Sequence, residues 1–291
     1  MNPAAREKAA ALRARFEAAG AQVIDPAILQ SAETLLDLYG EDIRARAYVT
    51  ADPARGELML RPDFTVPVVQ EHMANGAEPA RYTYAGEVFR RQETDPSRAS
   101  EYLQVGFELF DRTDPAAADA EVFALIADIL SGHDLRAVTG DIGILTAAVQ
   151  GLNTTAARKA ALMRHLWRPR RFRALLDRFS GRAAVPPTRK ALLANPDPLA
   201  KAGPMIGKRG ADEIAARIAA LRADAETPPI AADEVALIDA LLQVKETAPN
   251  ALEHLRDLAV DMPALDPAIN GFEARLAALG ARGVAPDTLE F

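Results

Sequence analysis

Between Tyr82 and Phe110 the chain reads YTYAGEVFRRQETDPSRASEYLQVGFELF, two alternating apolar and polar runs around a polar loop. Period-two alternation commits each run to a strand, and the short connection makes the pair an antiparallel hairpin. In the first run Thr83, Ala85, Glu87, Phe89 and Arg91 share one face, with Tyr84, Gly86, Val88 and Arg90 on the other. In the second, Glu101, Leu103, Val105, Phe107 and Leu109 share a face opposite Tyr102, Gln104, Gly106, Glu108 and Phe110. Gly106 thus separates an amide from a carboxylate on one face, and a residue without a side chain leaves room above the sheet. A small zwitterion fits such a place.

The rest of the chain limits what can surround that hairpin. With 291 residues it buries roughly three quarters of the surface exposed on unfolding, enough for one large domain or two smaller ones. Hydrophobic content is 49% with only 5% aromatic, carried by alanine and leucine, which favours helix over strand. The absence of cysteine excludes disulfides, thiolate metal sites and a cysteine nucleophile, and it fits a reducing cytosol. No apolar run is long enough to span a bilayer, and MNPAAREKAA has no signal-peptide core, so a cytoplasmic protein is expected. A formal net charge of −7 argues against general polyanion binding.

Capping signals place the elements. Asn2-Pro3 starts a helix with Ala9, Leu12, Phe16 and Ala19 as its stripe and Gly20 at its end. Ala21 to Ile24 reads as a short strand, and Glu33 to Leu38 is too irregular to classify. Tyr48 to Thr50 and Glu57 to Leu60 flank a turn containing Asp52, Pro53 and Gly56. Thr65 and Pro67 open a helix ending at Asn75-Gly76; Asp114-Pro115 opens another. Leu135 to Val138 is a predicted strand and Ile142 to Leu152 a predicted helix. Strand signals then nearly vanish, and proline-broken amphipathic helices follow. The expected class is α+β, with an antiparallel sheet and flanking helices in 1–152, a helical insertion in 153–260, and in 261–291 a return towards the sheet. Ile269 to Leu279 reads as helix and Asp287 to Phe291 as a strand opening, so the chain is expected to be a fragment or a shortened member of its kind.

The hairpin, together with Leu60 to Thr65 (LRPDFT), resembles the second signature motif of class II aminoacyl-tRNA synthetases, specifically the histidyl enzymes. That motif has a strand ending in Phe-Arg, here Phe89-Arg90, then a loop and a strand carrying Gln-x-Gly-x-Glu, here Gln104-Val105-Gly106-Phe107-Glu108. The likeness extends more weakly from about Ala4 through Leu145. Within that group the chain looks closer to the paralogues that serve as regulatory subunits of ATP phosphoribosyltransferase, a glycosyltransferase and the first enzyme of histidine biosynthesis. What resembles a working synthetase is incomplete: the glycine-rich strand and helix with a terminal arginine for ATP, a tyrosine-pair segment closing over histidine, and an anticodon-reading domain are not found.

The resemblance implies a histidine pocket with Asp63, Thr65 and Gln104 on the ammonium side, Glu108 on the ring side, and Arg90 at the carboxylate. The chemistry suits those roles, because an ammonium needs converging acceptors and a guanidinium grips a carboxylate with two parallel hydrogen bonds. Asp63 and Phe64 stand where the synthetases have glutamate and glycine, which shortens one acceptor and adds bulk. Arg91-Gln92 departs from the usual His-Glu-Arg continuation, weakening the case for ATP. The plainer reading is that Gln104 and Glu108 decorate a solvated sheet face and Arg90 is a surface ion-pair partner.

Between Arg158 and Lys190 there are eleven Lys and Arg against one acid, Asp177, with Trp167, the sole tryptophan, and Phe172 among them. Trp167, Arg168, Arg170, Arg171 and Arg173 are candidate partner-binding residues, since tryptophan and arginine commonly anchor interfaces. Solvated helix faces are the ordinary explanation of such a run. His72, His133, His165 and His254 lack metal-ligand spacing, and Gly207-Lys208-Arg209-Gly210 lacks the spacing of a phosphate loop. No catalytic residue, metal or cofactor is implied. The resemblance implies a non-catalytic regulatory subunit, a homodimer that joins the catalytic subunit of ATP phosphoribosyltransferase and lets histidine act as effector. A histidyl-tRNA synthetase or related adenylating enzyme is the alternative, and an RNA-binding module built on the basic run is a third.

Overall fold

The computed structural model describes residues 2–40, 43–92, 95, 97–200, 203–204 and 207–291. It divides into two units, Met1–Arg136 with Ala277–Ala285, and Ala137–Leu276 with Pro286–Phe291.

The first unit is α+β. Its order is α1 (Pro3–Ala18), β1 (Gln22–Val23), β2 (Leu29–Ser31), α2 (Ala32–Tyr39), α3 (Ile43–Arg46), β3 (Val49–Asp52), β4 (Gly56–Leu60), α4 (Thr65–Asn75), β5 (Ala80–Phe89), β6 (Glu101–Phe110) and α5 (Pro115–Ile129). Local chemistry sets these boundaries. Asn2 and Asp114 cap α1 and α5 by accepting from the amides of Ala4 and Ala117, each at 3.0 Å, and proline follows each cap. Gly20 adopts a φ of +90°, which only glycine takes without strain, and releases the chain from α1 into β1.

The long hairpin is β5 against β6, paired from Ala80↔Phe110 to Phe89↔Glu101, with β1 parallel to β5 on its other edge. A second sheet has the order β2-β4-β3. The apolar content of both hairpin faces has a direct cause, because each face is covered. Phe107 packs with Phe16 of α1 and Ile129 of α5, and Val105 and Leu109 join them. The opposite face, Tyr82, Tyr84 and Val88, packs with Phe64 and Val68 of the α4 region.

The register places Tyr84 directly opposite Gly106 and Gly86 opposite Gln104. Above these two glycines three planar groups are layered: Tyr84 stacks on Phe64 at 4.2 Å with 6° between planes, and the Arg61 guanidinium lies 3.9 Å over Phe64. A Cβ at Gly106 would lie 2.2 to 2.5 Å from Tyr84, and one at Gly86 would lie 2.5 Å from Arg61 and 2.9 Å from Phe64. The room above Gly106 is therefore filled by the protein's own tyrosine, which corrects the expectation of an open gap there. The bulk expected from Phe64 is real, but it is buried in this stack.

The second unit is helical: α6 (Ile142–Gly151), α7 (Ala156–Met163), α8 (Pro169–Phe179), α9 (Pro187–Ala194), α10 (Ala211–Glu226), α11 (Ala232–Leu241), α12 (Ala248–Asp261) and most of α13 (Asp266–Ala281). Two strand expectations fail. Leu135 to Val138 contributes only a bridge from Val138 to Glu290, and Asp287 to Phe291 forms a turn of 3-10 helix and single bridges from Glu290 to Val138 and Thr247. These short segments pair with one another and lack the alternating length needed for a ladder. Glu33 to Leu38, unclassifiable by periodicity, lies within α2, where Ser31 accepts from the Thr34 amide at 3.4 Å.

The layered stack predicts a non-additive pair of substitutions. Gly106→Ala costs about 1–3 kcal/mol by overpacking against Tyr84, and in a Tyr84→Ala background the same change is nearly neutral. Urea unfolding of the four proteins of this cycle measures the difference.

Candidate functional site

The five residues assigned to a ligand pocket by resemblance lie in one unit, and four of them, Asp63, Thr65, Arg90 and Glu108, form a continuous polar chain. Asp63 sits between β4 and α4, and its carboxylate accepts from the Tyr39 hydroxyl at 3.0 and 3.2 Å and from the Thr65 amide at 3.2 Å. Arg90 follows β5. Its Nε donates to the Pro62 carbonyl at 2.7 Å, its Nη2 stands 4.0 Å from Asp63, and its guanidinium lies 5.6 Å over the Tyr102 ring. Thr65 Oγ1 reaches Glu108 at 3.5 Å, and the Tyr84 hydroxyl donates to the same carboxylate oxygen at 3.2 Å. Gln104 lies on the same sheet face, and its Oε1 is buried without a hydrogen-bond partner among the described residues.

Sequence reasoning missed the two tyrosines. Tyr84 was legible as a residue facing Gly106 in the hairpin, a pairing that lets the larger side chain lie across the smaller. Tyr39 gave no signal, because α2 itself was not recognised.

Burial governs the electrostatics. It raises the Glu108 carboxyl above the ordinary glutamate value, an effect that hydrogen bonds from Tyr84 and Thr65 oppose and the negative charge of Asp63 reinforces. Both tyrosine hydroxyls are pushed well above the usual phenol value, first by burial and then by the carboxylate each one meets, Glu108 for Tyr84 and Asp63 for Tyr39. Two carboxylates and the hydroxyls of Tyr39, Thr65 and Tyr84 thus meet in one cluster, with the unpartnered Gln104 oxygen on the same sheet face and one guanidinium at the edge. That set is short of donors. A ligand bringing N–H groups satisfies it; a buried acceptor left alone costs about 1–3 kcal/mol.

The basic segment divides by use. Arg158 is buried, bonding Asp224 Oδ1 at 2.7 Å and the carbonyls of Asp224, Thr227 and Pro228 at 2.7, 3.2 and 2.7 Å. Arg189 also meets Asp224, at 3.0 Å, and Arg173 and Arg182 share Asp239. Arg173, grouped with the partner-binding candidates from sequence, is therefore held within its own unit. Trp167, Arg168, Arg170 and Arg171 are exposed.

The histidyl-tRNA synthetase family model matches residues 3–227. An ATP phosphoribosyltransferase regulatory subunit of Brucella anthropi is 32% identical over 299 residues, covering 94% of this chain and 77% of that protein. One from Allorhizobium ampelinum is also 32% identical, covering 95% and 78%. This chain belongs to the histidyl-tRNA synthetase-like family that includes those regulatory subunits. The fold agrees. A regulatory subunit/histidyl-tRNA synthetase from Bacillus halodurans matches 99% of the chain with a TM-score of 0.66 at 18% identity, and a histidyl-tRNA synthetase from Nostoc sp. PCC 7120 matches 98% with 0.58 at 15%. The chain spans 63% and 57% of those two structures, less than two thirds of either. Among the described residues, no helix is long and apolar enough to cross a membrane.

The raised Glu108 carboxyl gives a signed pH prediction. It holds its proton more tightly folded than unfolded, so its contribution to stability is full below the unfolded value of 4.5 and is lost as pH rises through the higher folded value. Glu108→Gln, which keeps an acceptor for Tyr84, accordingly gains thermal stability over the parent at neutral pH. The gain disappears as pH falls to 4.5 and below. Melting curves across that range measure it.

Proposed function

We propose that this chain is a non-catalytic regulatory subunit of ATP phosphoribosyltransferase, required for the first step of histidine biosynthesis and permitting its feedback inhibition by histidine. The observation that carries the reading is the donor-poor cluster on β5 and β6, in a chain about one third identical to proteins named as that subunit. Asp63, Thr65 and Gln104 receive the ammonium, Glu108 receives an imidazole N–H, and Arg90 meets the carboxylate. Gln104 Oε1, buried and unpartnered, gives the ammonium a waiting acceptor.

Histidine bound in the pocket must favour one state of the complex to inhibit, since a ligand shifts an equilibrium only by its differential affinity. The working form is a cytoplasmic hetero-oligomer of the catalytic subunit with a homodimer of this chain.

A histidyl-tRNA synthetase is the second reading, favoured by the description of the family model. Mixing the purified chain with the short catalytic subunit decides between them. The regulatory reading expects a complex on gel filtration, raised phosphoribosyl transfer, and histidine inhibition that the catalytic subunit alone lacks. Absence of a complex contradicts it, and histidine-dependent ATP/pyrophosphate exchange by the chain alone favours the synthetase.

A further inference from the structure

We propose that a groove beside Trp167 in the second unit is the seat for an apolar segment bearing acidic residues, supplied by a protein partner. The proposal rests on the regulatory reading, which makes that partner the catalytic subunit. Trp167 lies in the turn between α7 and α8 with 76% of its surface exposed. Leaving the largest apolar side chain in water forgoes burial that tryptophan ordinarily obtains, and such residues concentrate where a second protein covers them.

The groove next to it has a volume of about 490 Å³, and its walls include Ile142, Ile144, Leu242, Leu255 and Phe291. Leu242 and Ile142 are 46% and 39% exposed, so the apolar wall is continuous with the surface. Asp141, the one acid in the lining, is already held by Arg275.

Charge identifies the occupant. Arg164, Arg168, Arg170 and Arg171 are exposed within four residues of Trp167, and 156–176 contains no acid. The α8 N-terminus adds its partial positive charge, with no side-chain cap and no acid in its first turn. An apolar groove that shares Trp167 with an arginine-rich exposed turn is complementary to a segment that is apolar on one side and carboxylate-bearing on the other. A nucleic acid answers the charge but leaves the apolar walls wet, so the protein segment is the better match.

Trp167 is the only tryptophan, so the chain labelled with 5-fluorotryptophan gives a single fluorine resonance that reports this groove. Titrating the intact labelled chain with the catalytic subunit shifts that resonance. Trp167→Ala weakens the complex about tenfold or more by calorimetry. The double substitution Arg170→Glu with Arg171→Glu weakens it further and flattens its salt dependence. All three positions are exposed, and an unchanged circular dichroism melt establishes that the variants are folded. A complex that forms with the resonance unmoved and with Trp167→Ala at full affinity overturns the groove assignment while leaving the regulatory reading intact. No complex even with the parent chain overturns both. A resonance that moves with the concentration of the chain alone, or with single-stranded RNA, assigns the groove to a second copy or to nucleic acid and likewise overturns the proposal.

Discussion

The stacking of Tyr84 on Phe64 above two glycines is the interaction on which the first unit's site depends. A tyrosine can lie flat on a sheet only where the facing residue has no Cβ, and the register supplies Gly106 at that point. The ring then delivers its hydroxyl to Glu108, two residue pairs further along the ladder and on the same face. Arg61 closes the stack by cation–π contact and ties it to the backbone through the carbonyls of Glu87 at 2.8 Å and Pro26 at 2.5 Å. The polar cluster is consequently fixed by an apolar and aromatic layer beneath it. Its carboxylate is desolvated by the same packing that orients it.

Much of this was legible in the chain, for identifiable reasons. The hairpin was readable because its period is two and its loop is polar. The helix starts at Asn2 and Asp114 were readable because proline follows a capping side chain, and the start at Thr65, where Phe64 holds the cap position without a side-chain bond, was readable from the nearby Pro67. The gap above Gly106 was misread, because face assignment states which side a side chain takes and not how far it leans; Tyr84 leans across. Tyr39 was missed because α2 is only eight residues long; Ala32, Leu35, Leu36 and Tyr39 keep helical spacing over its packed face, but two turns are too few to stand out from the sequence. The strand expected at Leu135 to Val138 failed because β-branched and apolar residues also suit a single bridge, and only long-range pairing separates the two outcomes.

In the second unit the basic segment shows why a charge count does not identify a surface. Arg158 works inward, satisfying carbonyls near the C-terminal end of α10, and Arg173, Arg182 and Arg189 balance two aspartates. Arg158 and Trp167 belong to one run in the sequence, yet one is buried with its hydrogen bonds met and the other stands in water. Burial, which the sequence does not print, separates a structural arginine from one available to a partner.

The central claim is that Asp63, Thr65, Tyr84, Gln104 and Glu108 form an acceptor-rich pocket for a free amino acid. Calorimetric titration of histidine, with and without the catalytic subunit, tests it most directly. The account predicts saturable 1:1 binding in at least the complex, weakened about tenfold by Gln104→Leu, because one charge-assisted hydrogen bond to the ammonium is lost. Absence of binding in both titrations, or equal affinity for the Gln104→Leu protein, contradicts it.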